Sequence, residues 1–474
     1  MSERPWWESA VLYQIYPRSY QDSDGDGVGD LEGVRRRVDY LEWLGVDAVW
    51  LSPVFASPHA DYGYDISDYR AVDPLFGTDA DLAALRDELH DRGMRLLLDL
   101  VPNHSSDQHP WFRASASSRD HPKRDWYIWA DPAPDGGPPT NWLSVFGGSA
   151  WEWHEPTGQY YYHAFLKEQP DLNWRNPEVR AAMLDVMRYW LDWGADGFRV
   201  DVMWHLIKDD RLRDNPKDPD YHPATALRSY ERLDPVFTTD RPEVHEVVAG
   251  MRRVMDDYGD RLLIGEIYLP VEKLVRYYGP DHDEAHLPFN FQLVLLPWER
   301  AAIEAAINRY EAALPDGGWP NWVLSNHDNP RVAARWGEPA ARAAAVLLLT
   351  LRGTPTLYYG DEIGLGDVTI PPDRVRDPQA VRDPGSPTRD VARTPMQWRP
   401  GPGAGFTDGE PWLPLTADHE TRNVAVQRDD PGSMLRLHRD LLRLRARHPA
   451  LVRGRYRPLP GQGPVLAFLR EEEA

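Results

Sequence analysis

The stretch Gly197-Phe-Arg-Val-Asp201 decides the reading of the fold: a short run of strand-forming residues closed by an acid. Just upstream, positions 177–193 carry apolar residues three and four apart, the period of a helix with one buried face. The same pairing of a short Val-, Leu- or Tyr-rich run with a longer amphipathic segment recurs in both directions along the chain. Eight runs can be marked, at 11–16, 48–51, 95–100, 197–200, 262–265, 289–292, 322–325 and 355–359. Helices are expected over 31–44, 79–92, 177–193, 243–258 and 433–447. This alternation argues for βα units around a parallel sheet, and eight of them predict an α/β fold, the (β/α)8 TIM barrel.

The regularity breaks between His104 and Trp174, a stretch rich in Pro, Gly, Trp and Tyr with little helical period. It reads as an irregular subdomain inserted after the third strand. The expected organisation is a first part of the barrel at 1–103, an inserted domain B at 104–174 and a second part of the barrel at 175–456. Positions 457–474 then read as the remnant of a truncated C-terminal β domain, with 465–469 as a single strand short of partners.

Composition excludes several classes. The chain has 474 residues, a formal net charge of −22 and no cysteine. Its arginines are interleaved with acids rather than clustered, so nucleic acid is not an expected partner. Without cysteine there is no disulfide framework, thiolate metal site or thiol nucleophile. No basic segment followed by an apolar one opens the chain, and the longest apolar stretch, near 343–351, falls short of the ~20 residues of a membrane span. A cytoplasmic monomer without membrane or nucleic-acid partners is expected.

In a barrel of this kind, residues at the C-terminal ends of strands line the mouth. Asp99, Asp201, Glu266 and the pair His327-Asp328 each follow an apolar run. A lone acid in such a place is more often a helix cap or a solvated loop residue. Four at successive strand ends point to a site. Two carboxyl groups facing each other suit glycoside cleavage, one as nucleophile and one as general acid and base. Arg199 and Asp201 point the same way along a strand, so the guanidinium is expected to favour an ionised Asp201. Glu266, near Asp201 and Asp328, is expected to hold its proton.

The motifs Asp99-Leu-Val-Pro-Asn-His104, Gly197-Phe-Arg-Val-Asp201, Gly265-Glu266 and Asn326-His-Asp328 resemble the four short regions of the α-amylase family of retaining glycoside hydrolases. A fifth, Gln169-Pro-Asp-Leu-Asn173, matches in its place at the end of the insertion. The resemblance implies Asp201 as nucleophile, Glu266 as acid/base and Asp328 as a third acid that holds sugar hydroxyls. It implies that His104 and His327 bond hydroxyls, Arg199 orients Asp201 and Tyr64 stacks under the ring. Asp61-Tyr-Gly-Tyr64 and Ala392-Arg393-Thr-Pro-Met-Gln-Trp398 are similar to the α-glucosidase and oligo-1,6-glucosidase branch. That likeness implies a closed pocket in which Asp61 and Arg393 grip a terminal glucose and Phe146, Phe165 and Gln169 line the walls. The expected substrate is a short oligosaccharide. Val202 resembles α-1,6-preferring members, whereas the flanking Met203–Lys208 segment resembles general α-glucosidases, so the linkage stays open. A glucosyl transferase or isomerase of the sucrose isomerase or trehalose synthase type would use the same acids.

Asp22-Ser-Asp24-Gly-Asp26-Gly-Val28-Gly-Asp30 places oxygens at alternate positions with glycines at the turn, which suits a hard cation. It departs from an EF-hand, because Gly33 stands where the bidentate Glu would be. A solvated acidic turn before the following helix is the other reading. The loop resembles the calcium loop of the oligo-1,6-glucosidase branch, which implies Asp22, Asp24, Asp26, the Val28 carbonyl and Asp30 as ligands of a structural Ca2+. No organic cofactor is implied.

Overall fold

The computed structural model describes residues 4–222, 226–383, 385–461 and 463–472; the outermost positions of the expected segments 1–103 and 457–474 lie outside them. Eight parallel strands form one sheet: β1 (Leu12–Ile15), β2 (Ala48–Leu51), β3 (Arg95–Leu100), β4 (Gly197–Val200), β5 (Leu262–Gly265), β6 (Leu287–Pro288), β7 (Asn321–Val323) and β8 (Thr354–Tyr358). Their order, β6-β5-β4-β3-β2-β1-β8-β7, follows the chain around a (β/α)8 barrel. β6 and β7 meet at the seam, where Pro288 has no N–H to give a ladder. The Asn321 side chain serves instead. Its Nδ2 donates to the Pro288 carbonyl at 2.5 Å, and its Oδ1 accepts from the Asn290 N–H at 2.9 Å.

Alternation along the strands explains the core. Leu12, Ala48, Trp50, Leu97, Leu262, Ile264, Leu287 and Val323 point inward and fill the barrel. Their opposite neighbours, such as Tyr13, Val49, Leu96, Leu98, Phe198, Val200 and Leu263, pack outward under the helices in a second cluster. Gly197 is required at its place, since a Cβ there would stand 2.1 Å from the Leu262 carbonyl oxygen.

Several sequence expectations are corrected. The helix expected over 31–44 is two, Leu31–Arg35 and Val38–Leu44. The chain kinks where the Arg37 guanidinium turns in to Gln21 Oε1 (2.8 Å) and lies 4.1 Å from the Trp398 ring. The strand expected at 289–292 is shifted to Leu287–Pro288, and residues 292–295 coil into a short 3-10 turn. The strand near 465–469 is not alone: Arg455–Leu459 and Ala467–Glu471 pair antiparallel in a hairpin.

Between β3 and β4 the chain leaves the barrel through the helix Pro110–Ser117 and a three-stranded antiparallel sheet of Trp129–Ala130, Gln159–Tyr162 and Trp151–His154. Cross-strand aromatic pairs, Trp151 with Tyr162 and Trp153 with Tyr160, build this sheet. Among the described residues no helix is long and apolar enough to cross a membrane.

Candidate active site

The alternation that fills the barrel also builds the site. Two positions above inward Leu97 stands Asp99; above Gly197 stand Arg199 and then Asp201; above Ile264 stands Glu266; above Leu12 stands Gln14. A polar layer thus caps an apolar plug at the C-terminal mouth.

At its centre lies the buried guanidinium of Arg199. Its Nη1 donates to Asp99 Oδ1 and Asp201 Oδ1, both at 2.8 Å, and its Nη2 stands 2.8 Å from Glu266 Oε2. Asp99 also accepts from Trp50 Nε1 at 3.1 Å. Sequence reasoning expected Arg199 to favour an ionised Asp201. Arg199 does pull in that direction, but its one positive charge is shared by three acids, and burial acts against it. Burial pushes the carboxyls of Asp201 and Glu266 up, with Arg199 opposing in both, and pushes Asp99 up to about 7. Asp328 adds to the rise at Glu266.

Val202, directly after Asp201, adopts φ 37° and ψ 48°, a left-handed conformation that a β-branched residue rarely takes. The turn aims its N–H at Glu266 Oε2, 2.8 Å away. Strained backbone of this kind gathers at functional sites, where the surroundings hold it.

Across the mouth, Asp328 Oδ1 accepts from Arg393 Nη2 at 3.0 Å and from Arg389 Nη1 at 3.3 Å. Burial opposes ionisation of Asp328, but His327 and the two guanidiniums outweigh it and hold the carboxyl below the usual range. His327 lies flat against Tyr64 (ring centroids 5.4 Å apart, planes 5° apart), with Nε2 2.7 Å from the Tyr64 hydroxyl and Nδ1 2.8 Å from Gln14 Nε2. Burial holds its imidazole down at about 3, with the Asp328 charge opposing.

One end of this array is shut. Arg389 Nη2 donates to Asp61 Oδ1 at 3.0 Å and to Asp377 Oδ1 at 2.7 Å. Gln169 Nε2 donates to Asp61 Oδ2 at 3.3 Å and lies beside His104 Nε2, at 3.1 Å. Phe165 packs against His104 and Phe146, with centroids 5.2 and 5.5 Å apart, and the Arg389 guanidinium sits 4.8 Å from the Phe146 ring. Every candidate named from the sequence for catalysis and sugar binding therefore lies in one connected cluster. Within it Arg393 meets Asp328, and Arg389 meets Asp61.

Sequence reasoning missed Arg389, Asp377 and Tyr268. Tyr268 stands two positions past Glu266, stacks on Phe291 at 4.1 Å, and its hydroxyl accepts from the Asn326 and Asn329 side chains at 3.1 and 2.9 Å. The strand-end rule, carried two residues further, would have found it. Asp377 caps the five-residue helix Pro378–Arg382 and Arg389 opens the 3-10 turn Arg389–Ala392, elements too short to show a period.

In the acidic loop, ligand oxygens of Asp22, Asp24 and Asp30 lie within 4.8 Å of one another. The Asp26 carboxylate lies outside this group of three, and its Oδ1 accepts the Val28 N–H at 2.7 Å. Of the expected set Asp22, Asp24, Asp26, the Val28 carbonyl and Asp30, three carboxylates are thus already drawn together. These hard-oxygen donors fit an oxygen-seeking cation. The loop is tied to the later chain by the Asp22 N–H on the Phe406 carbonyl (2.9 Å) and the Trp412 N–H on the Gly27 carbonyl (3.0 Å).

Residues 14–454 match the family model described as the catalytic domain of alpha amylase. A probable alpha-glucosidase of Rhizobium meliloti (strain 1021) is 42% identical over 485 residues, covering 99% of this chain and 87% of that protein. An oligo-1,6-glucosidase of Parageobacillus thermoglucosidasius is 41% identical over 492 residues, covering 96% of this chain and 86% of that protein. Among solved structures, an alpha-glucosyl transfer enzyme, XgtA, superposes with a TM-score of 0.95 at 44% identity, covering 99% of this chain and 90% of that one.

Proposed function

Since the chain belongs to the α-amylase family, we propose that it is a retaining, exo-acting α-glucosidase releasing glucose from the non-reducing end of short α-glucosides. The observation that carries this is the grouping of Asp201 and Glu266 on the two terminal nitrogens of Arg199, beside a buried end formed by Asp61, Gln169 and Arg389. Two carboxyl groups held on one guanidinium suit double displacement, in which one attacks the sugar and the other serves as acid and base. Asp201 attacks the anomeric carbon while Glu266 gives its proton to the leaving oxygen. A glucosyl ester on Asp201 results. Glu266, now a carboxylate, takes a proton from water, which attacks the same carbon and frees glucose and Asp201. Asp328 holds ring hydroxyls from the opposite side. The buried ion pair of Arg389 and Asp61 supports a site that takes a single terminal sugar.

Asp22, Asp24 and Asp30 would hold a structural Ca2+, bracing the loop against the 406–412 segment, outside the reaction itself.

Glucose release from isomaltose and maltose, with Asp201→Asn as control, tests the reading. Activity on either that vanishes in the variant supports it, and the preferred disaccharide decides between the α-1,6 reading of Val202 and a general α-glucosidase. Glucosyl transfer is a second reading, favoured by the likeness to the alpha-glucosyl transfer enzyme. It predicts transglycosylation or isomerised disaccharide in excess of free glucose.

A further inference from the structure

Lys208 is a buried ammonium on the loop that follows Asp201. Its Nζ donates to Asn103 Oδ1 at 2.6 Å and pairs with the buried carboxylate of Asp171. Asn103 Nδ2 in turn donates to Asp171 Oδ2 at 2.8 Å and faces His104 Nδ1 at 3.2 Å. A lysine can only donate and a carboxylate can only accept. Between them they leave the Asn103 amide one orientation, oxygen toward Lys208 and nitrogen toward Asp171. Its second amide hydrogen then falls on His104 Nδ1, which must be the unprotonated nitrogen.

We propose that Lys208 is a positioning residue that fixes, through Asn103, the Nε2–H tautomer of His104 and so presents this pocket histidine as a hydrogen-bond donor. The far side of the ring agrees. His104 Nε2 lies 3.0 Å from the Tyr64 carbonyl oxygen, which can only accept. Gln169 Nε2, also near, has acceptors of its own in Asp61 Oδ2 and the same Tyr64 carbonyl, at 3.3 Å each, so it needs nothing from the imidazole. The opposite tautomer would set N–H against N–H at Asn103 and lone pair against lone pair at Tyr64. Burial keeps the imidazole neutral, near a value of about 4, so one nitrogen alone carries the proton. The same lysine joins two parts of the site, because Asn103 and Asp171 adjoin pocket residues of the β3 end and the insertion while Lys208 shares its loop with Asp201 and Val202.

The test is 15N-histidine labelling with two-bond 1H–15N spectra, His104 being assigned by its loss in His104→Gln. The wild type is expected to show a protonated Nε2 and a bare Nδ1. Lys208→Met would strand the Asp171 charge, so it is combined with Asp171→Asn, which frees the Asn103 amide to flip. That double variant is expected to show Nδ1–H appearing and KM rising about five- to tenfold with a smaller change in kcat. Lys208→Arg, still a pure donor, is expected to keep the wild-type tautomer. A proton on Nδ1 in the wild type, or an unchanged Nε2–H in the folded double variant, overturns the inference. Should the double variant fail to fold, the wild-type and Lys208→Arg spectra decide. Only the kinetic arm rests on the proposed glucosidase reading. An inactive wild type with the Nε2–H tautomer overturns that reading and leaves this inference standing.

Discussion

Arg389 and Asp61 are 328 positions apart in the chain and 3.0 Å apart in the structure, and their ion pair closes one end of the site. The same guanidinium reaches Asp377 and Asp328, so one side chain ties the shut end to the acid across the mouth. A planar, forked cation can span several carboxylates, whereas an ammonium offers a single point of charge.

Arg389→Lys is therefore expected to keep the charge and lose the span. KM for maltose or isomaltose should rise and kcat/KM fall about 10- to 100-fold, about 1.4 to 2.8 kcal/mol of lost binding. Steady-state kinetics check this, and kinetics equal to the wild type would show that the closed end does not depend on the bridge.

Three acids around the one Arg199 charge make the centre a site of strain as well as chemistry. Asp201→Asn removes one of the crowded carboxylates and keeps its shape. Activity should fall by at least about a thousandfold, while Tm rises by about 1–3 °C. Calorimetry on both proteins measures it; a lowered Tm would mean that the Asp201 charge stabilises the fold.

Glu266 supplies the pH dependence. Burial, with the Asp328 charge added, raises its pKa against Arg199, so it stays protonated above the usual glutamate range. kcat/KM should decline on the basic side as this proton is lost. Asp328→Asn removes a neighbouring negative charge and should move that limb of the residual activity to lower pH. Stability follows the same sign: a carboxyl raised in the folded state contributes most below its unfolded pKa and loses that contribution as pH rises through the folded value. Unfolding of Glu266→Gln should accordingly depend less on pH in that window, as denaturant titrations can show.

Ca2+ at about a hundred times its Kd should stabilise the fold by about 2.7 kcal/mol, and a chelator should remove the gain. Asp24→Ala should abolish the response, whereas Asp26→Ala should weaken it less, because the Asp26 carboxylate lies outside the group formed by Asp22, Asp24 and Asp30. Isothermal titration with Ca2+ on the three proteins separates these outcomes. Loss of binding in Asp26→Ala as complete as in Asp24→Ala would overturn this distinction.

Much of this was legible in the chain. Period-two and period-3.6 patterns gave the strands and helices, and the acids that end apolar runs gave Asp99, Asp201, Glu266 and Asp328. The pattern weakened where it had little length to act on. β6 is two residues long and ends in Pro288, so its run was read a few positions late, and the kink at Arg37 depends on Gln21 and Trp398, neither of which is a near neighbour in sequence.

By itself, then, the sequence determined the barrel and the parity that lifts the acids to its mouth, because burial of one strand or helix face is written into local spacing. Tertiary structure alone decided that Arg389 meets Asp61, that Arg199 is shared by three acids, and that Lys208 governs Asn103. Those are contacts between charged and polar groups mostly far apart in the chain, many of them on loops and some, like Arg199 and Asp99, on neighbouring strands. Their partners are chosen by the distances the folded barrel imposes, and no residue spacing encodes them.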